Sequence, residues 1–176
     1  MKKYFQAAVL PALLACVALA APVQSGWKEY VYAEDGFAIS APAQPSLQTE
    51  ATATPVGPLD AHNYTVDLGN GSTVGVNATD FKMGQGIDAK LMLGGIKEGL
   101  AASMQGKIVS EKEISLGPNP GVEFEMVAEA SHMRIRCFFI DGKLFVLMSM
   151  APLAKPIAPE TGRIFDSFRL VAGRGK

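Results

Sequence analysis

Cysteine and histidine are scarce in this chain of 176 residues, with two of each. Cys16 lies inside an N-terminal apolar run. Once that run is removed Cys137 stands alone, and no intramolecular disulfide can form. His62 and His132 come with no cysteine pair and no His-x-x-x-His spacing, which is too few ligands for zinc or iron. An excess of basic charge is also missing. Without Lys2 and Lys3 the balance is 14 basic against 17 acidic residues, which excludes the clustered positive surface that nucleic acid demands. There is no polybasic run for anionic lipid. No apolar stretch after residue 21 is long enough to cross a bilayer. Gly-x-Ser-x-Gly does not occur, and Gly94-Gly95-Ile96-Lys97 falls within a helical pattern rather than before one, so neither a serine elbow nor a phosphate loop is expected. No catalytic residue, metal or cofactor site is expected.

What is present begins at the N-terminus. Met1-Lys2-Lys3 is a basic start, and the apolar run 7–21 would span about 22 Å as a helix, short of a hydrocarbon core of ~30 Å. Ala18-Leu19-Ala20 has the small-x-small form read by signal peptidase, so residues 1–20 are expected to be a signal peptide cut between Ala20 and Ala21. Leu13-Leu14-Ala15-Cys16 also resembles a lipobox, in which Cys16 would be lipidated and become the first residue. Leu14 fits that pattern poorly. The expected location is therefore the bacterial periplasm or beyond, with a membrane-anchored lipoprotein as the alternative.

The remaining chain reads mostly as strands. Trp27 to Tyr32 and Phe37 to Ala41 flank the turn signal Glu34-Asp35-Gly36. Leu47 to Thr54, Ala61 to Leu68 and Thr73 to Phe81 follow, the last two joined by Gly69-Asn70-Gly71-Ser72. A helix is predicted from about Asp88 to Met104, because Ala89, Leu93, Ile96, Leu100 and Met104 form one apolar stripe. Gly95 and Gly99 flank the stripe and suggest close packing of the helix on a sheet. A second helix is predicted over about Glu160 to Phe168, with Pro159 at its start.

Between the helices three strands, Gly121 to Ala130, Met133 to Asp141 and Lys143 to Ala151, form a predicted meander turning at Asp141-Gly142. One face is wholly apolar and includes Cys137, Met126, Met133, Met148 and Met150. The other mixes Glu123, Glu125 and Glu129 with Arg134 and Arg136, and adds Phe138 and Phe145. A sheet apolar on one face and half apolar on the other needs cover on both. The expectation is an α+β protein, an α/β/α sandwich around a mainly antiparallel sheet. Aromatics interleaved with arginines suit a protein contact, so Glu125, Glu129, Arg134, Arg136, Phe138 and Phe145 form the candidate partner surface. The carboxylates are expected to make solvated ion pairs with the arginines.

Gly36-Phe37-Ala38-Ile39-Ser40-Ala41-Pro42-Ala43-Gln44-Pro45 resembles the opening strand of small secreted bacterial proteins with a PsbP-like fold. Pro120-Gly121-Val122-Glu123-Phe124 resembles the start of their meander, and Arg163-Ile164-Phe165-Asp166-Ser167-Phe168 their closing helix. After the signal peptide at 1–20 and a tether and first strand at 21–35, both read from the residues, the resemblance implies one PsbP-like domain at 36–171. It also implies an exported, non-enzymatic accessory module that binds a partner in the cell envelope, with no membrane span after processing. The alternative is a carrier of a small apolar ligand in a pocket between helix and sheet.

Overall fold

Alternation of apolar and polar residues with period two dominates after residue 26, and strands are what it forms. The computed structural model describes residues 26–54, 57–81 and 88–172. The expected signal peptide 1–20, its expected cleavage between Ala20 and Ala21, and Cys16 lie outside the described residues. In chain order the elements are β1 (Lys28–Tyr32), β2 (Phe37–Ala41), β3 (Ser46–Thr54), β4 (Gly57–Gly69), β5 (Ser72–Asp80), α1 (Ala89–Ser103), β6 (Lys107–Leu116), β7 (Asn119–Ala128), β8 (Ser131–Ile140), β9 (Lys143–Pro152), α2 (Glu160–Asp166) and β10 (Arg169–Leu170). A seven-stranded sheet runs β3-β4-β5-β9-β8-β7-β6, and a three-stranded sheet runs β1-β2-β10. Every strand pairing is antiparallel.

Turn chemistry fixes two hairpins. Asn70 and Gly71 have φ of 55° and 77°, and Asp141 and Gly142 have 50° and 79°. Two successive residues at positive φ are the type I′ geometry, whose twist matches that of the flanking strands. α1 starts where Asp88 accepts hydrogen bonds from the Lys90 and Leu91 backbone N–H groups, an N-cap that satisfies two otherwise orphaned donors.

The two faces of the large sheet hold separate cores. α1 lays Leu93 on Phe124, Met126, Met133, Ile135, Cys137 and Phe139, with Ile96, Leu100 and Met104 at the margin. Met126 and Met133 are thus core packing under the helix. α1 packs on β7 and β8. Beyond it the same face turns polar, where Asn77 donates to Asn63 at 2.8 Å and Thr79 donates to Asn77 at 2.9 Å. The opposite face packs Tyr64, Val66, Val74, Val76, Phe138, Phe145 and Leu147 against Phe37 and Ile39 of β2 and against Ile164, Phe165 and Phe168. The small sheet and α2 together therefore form the second outer layer.

Several expectations change. β6 was not foreseen. It is an edge strand, mostly exposed, and a bulge between Ile108 and Ser110 breaks its alternation. The first strand expected within 21–35 is β1; it pairs with β2 along its whole length, and Trp27, Tyr30 and Tyr32 pack on the core. Gly95 and Gly99 do not bring α1 close to another described element, because a Cβ at either position would meet no atom of the described residues outside the helix backbone within 4 Å.

Candidate binding cleft

The residues expected to form a partner surface do not form one. Phe138 and Phe145 are 4% and 2% exposed. They sit in an aromatic cluster in which the Phe138 ring stacks on Phe168 at 5.9 Å and Phe145 meets Phe168 edge-on at 5.4 Å. Alternation correctly puts them on the same face as the arginines, but that face is covered by β2 and α2. Gly121 makes room for the ring, since a Cβ there would lie 2.5 Å from Phe138. Glu129 falls in the turn after β7, off the sheet. Glu125 is exposed opposite Arg134 in the β7–β8 register and makes no salt bridge among the described residues.

The charge ladder is a buried cluster centred on Glu123. Its side chain is only 6% exposed and takes Arg134 Nη2 at 2.7 Å, Lys112 Nζ at 2.9 Å and Arg136 Nε in close contact. Burial pushes the Glu123 carboxyl up, but hydrogen bonds from Lys112, Arg136 and Arg134 outweigh it and bring it down to about 2. Arg136 continues to Asp166 at 2.8 Å and lies over the Phe165 ring at 5.3 Å. Arg136 thereby holds α2 to the sheet.

The closing Phe-Asp-Ser-Phe segment thereby acquires residue-level roles. Asp166 receives Arg136, and Phe168 fills the core. Ser167 Oγ donates to the Ile164 carbonyl at 2.7 Å and accepts the Ser40 backbone N–H at 2.8 Å. Ser149 and Thr161, both fully buried, share a hydrogen bond at 2.8 Å beneath α2.

An open cleft of about 820 Å³ lies where the small sheet ends over the large one. Its walls are Val31 to Glu34, at the end of β1 and in the following turn, and Gln44 to Leu47, leading into β3; Tyr64 of β4 also lines it. Val31 and Leu47 stand 54% and 53% exposed at its rim. Tyr32 and Tyr64 pack with ring centroids 4.0 Å apart. Behind them Asp35 is buried, accepting a short hydrogen bond from the Tyr64 hydroxyl and contacting His62 Nδ1 at 2.9 Å. Lys143 Nζ donates to the Asp35 carbonyl at 3.0 Å.

This network locks the 33–36 turn onto β4 and β9. It does not activate Tyr64, whose phenol is pushed up by burial and by its hydrogen bond to Asp35. A phenol that ionises less readily is a poorer nucleophile and a poorer general base. The space beside α1 is far smaller, about 130 Å³, and Lys90, Lys97, Glu111 and Glu113 are among its lining residues.

Sequence reasoning missed the cleft. Asp35 belongs to the expected turn Glu34-Asp35-Gly36, and His62, second in the expected strand Ala61 to Leu68, lies within the longer β4. Nothing local links Asp35 to Tyr64, 29 positions apart. The available signal was Leu47, the one large apolar residue in β3.

No family model matches the chain, and no curated protein matches it in sequence. In structure it is similar to cyanobacterial PsbP (CyanoP) from Synechocystis, with a TM-score of 0.53 and 12% sequence identity over 89% of this chain and 97% of that one. At that identity the likeness concerns the fold, and the chain has a PsbP-like α+β fold. Among the described residues, no helix is long and apolar enough to cross a membrane.

Proposed function

We propose that the protein is an exported, non-enzymatic accessory module that holds a partner in the cell envelope, and that its contact site is the cleft between β1 and β3. The observation that carries this reading is the cleft itself, about 820 Å³ with Val31 and Leu47 exposed above two tyrosines. Its size falls among ligand-binding clefts, and aromatic side chains with polar tips suit a contact that must also face water. Export rests on the basic start, the apolar run and Ala18-Leu19-Ala20. A small apolar ligand beside α1 is the weaker reading, since about 130 Å³ with charged lining is below the range of ~300–1,000 Å³ for such sites.

Cross-linking in the native envelope tests the assignment. Wild type and Leu91→Asp, which alters an exposed position on α1, should retain the same partner, and Leu47→Arg should lose it. Loss with Leu91→Asp and retention with Leu47→Arg would move the site to the helix.

A further inference from the structure

The large sheet has two edges, β3 and β6, and they are built differently. β6 carries Lys107, Glu111, Lys112 and Glu113 and a bulge at Ile108/Ser110. α1 ties down over it through Lys97 to Glu111 at 2.7 Å and Lys90 to Glu113 at 3.7 Å. Charges, bulges and cover are how proteins stop an edge from pairing with another strand. β3 is far less guarded: Glu50 is its one charged residue, it contains no proline, its nine residues pair with β4 without a register break, and no strand among the described residues pairs with its other side. Such an edge presents unpaired main-chain groups over a length of about 30 Å.

The edge also opens onto the cleft. Leu47 pairs with Tyr64, and Thr49 with His62, on the face that carries the second core. The small sheet stops short of this part of that face, which is why Leu47 is exposed. A strand added beside β3 would place every second side chain next to Leu47, toward the cleft and the β1 end of the small sheet. The cleft's charge is one-sided: its lining includes Glu34 and no lysine, arginine or histidine. Glu34 makes no salt bridge among the described residues. Asp60, directly across from Ala51 and exposed, adds a carboxylate about 13 Å further along the same face of β4.

We propose that β3 is a strand-addition site, and that its occupant is an extended peptide segment of a partner protein whose cleft-facing residues, every second one in sequence, are by turns apolar and basic. Main-chain hydrogen bonds to β3 would supply affinity, and the alternate side chains against Leu47 and Glu34 the specificity. This rests on the cleft being the contact site.

The test uses the full mature chain and a fluorescein-labelled octapeptide, Val-Ser-Lys-Ser-Val-Ser-Lys-Ser, whose valines and lysines share one face, followed by fluorescence anisotropy. Two further versions carry N-methyl groups on alternate residues, one along each edge of the extended peptide. The parent peptide should bind. One methylated version should bind within about threefold of it and the other at least about tenfold more weakly, because only one edge faces β3. Glu34→Lys should weaken the lysine peptide by roughly tenfold and strengthen one with glutamate in place of lysine. Equal binding of both methylated versions, or no response to Glu34→Lys, would overturn the proposal. Absence of peptide binding while Leu47→Arg still abolishes partner capture overturns strand addition alone, and failure of both overturns the cleft assignment as well. A dimer in sedimentation that is lost in Leu47→Arg would make the occupant a second copy of the chain and also overturn the proposal.

Discussion

Cys137 shows how far a single residue can be read. Alternation sets it back to back with Arg136 on β8, and in the fold it is 0% exposed beneath α1 while Arg136 reaches Glu123 and Asp166 on the other side. Burial pushes its thiol up to about 12, so thiolate, the reactive form, is scarce at neutral pH. Native protein should resist a maleimide reagent and label only as fast as it unfolds, and Cys137→Ala should cost ~1–2 kcal/mol in urea unfolding through a small cavity. Rapid labelling without denaturant would contradict this placement. Glu123 is the opposite case, where alternation places the residue on the correct face but says nothing about its burial. Its carboxyl lies at about 2 in the folded protein against an ordinary 4.5. A depressed folded value stabilises above the unfolded value, and that contribution fades as pH falls from about 4.5 through about 2. Wild type should therefore lose on the order of 2 kcal/mol across that window from this residue. Glu123→Gln should be less stable at pH 7, with the half-buried Arg134 and Arg136 left without their shared carboxylate, and should lack this part of the acid dependence. Parallel pH–stability curves for the two proteins would show that the cluster contributes nothing through ionisation.

Among the elements, those with a strict period were legible and those without one were not. The stripe from Ala89 to Met104 predicted α1 to within a residue of its Asp88 cap, and the turn pairs Asn70-Gly71 and Asp141-Gly142 marked hairpins that the positive φ values bear out. β6 was missed because it buries little and because its bulge puts Val109 out of phase, leaving it 56% exposed. Phe138 and Phe145 were placed on the correct face and still misjudged, since no local pattern says that β2 and α2 will close over them. The glycines of α1 were misjudged for a related reason: Gly-x-x-x-Gly spacing suggests contact, yet the space around both Cβ positions is empty. With no contact to lose, alanine retains only its advantage in helix propensity. Gly95→Ala and Gly99→Ala should each raise stability by about 0.5–1 kcal/mol in thermal or urea unfolding. A loss at either position would mean that the backbone there lies against another surface.

At the scale of the whole molecule, the layers explain why function was the least legible property. One helix covers one half of the large sheet on one face, and a small sheet with α2 covers much of the other. The cleft arises where that second cover stops, from segments 31–34, 44–47 and Tyr64 that only the topology brings together. Where the module works depends on processing, which the N-terminal sequence addresses directly. The folded unit is under way by Trp27, whose ring stacks under Arg163 of α2 at 3.9 Å. Cleavage after Ala20 would release a protein starting at Ala21, only a few residues before that contact. Lipidation at Cys16 would instead leave ten residues before Gly26, able to span at most ~35 Å, and would hold the fold and its cleft close to a membrane. Intact-mass measurement on protein recovered from the envelope of an expressing bacterium separates these outcomes. The expected species begins at Ala21, carries no added mass and partitions with the soluble periplasmic fraction. A diacylated or triacylated species beginning at Cys16, extracted only by detergent, would replace free diffusion with tethering and restrict the partners of the β3 edge to those at a membrane surface.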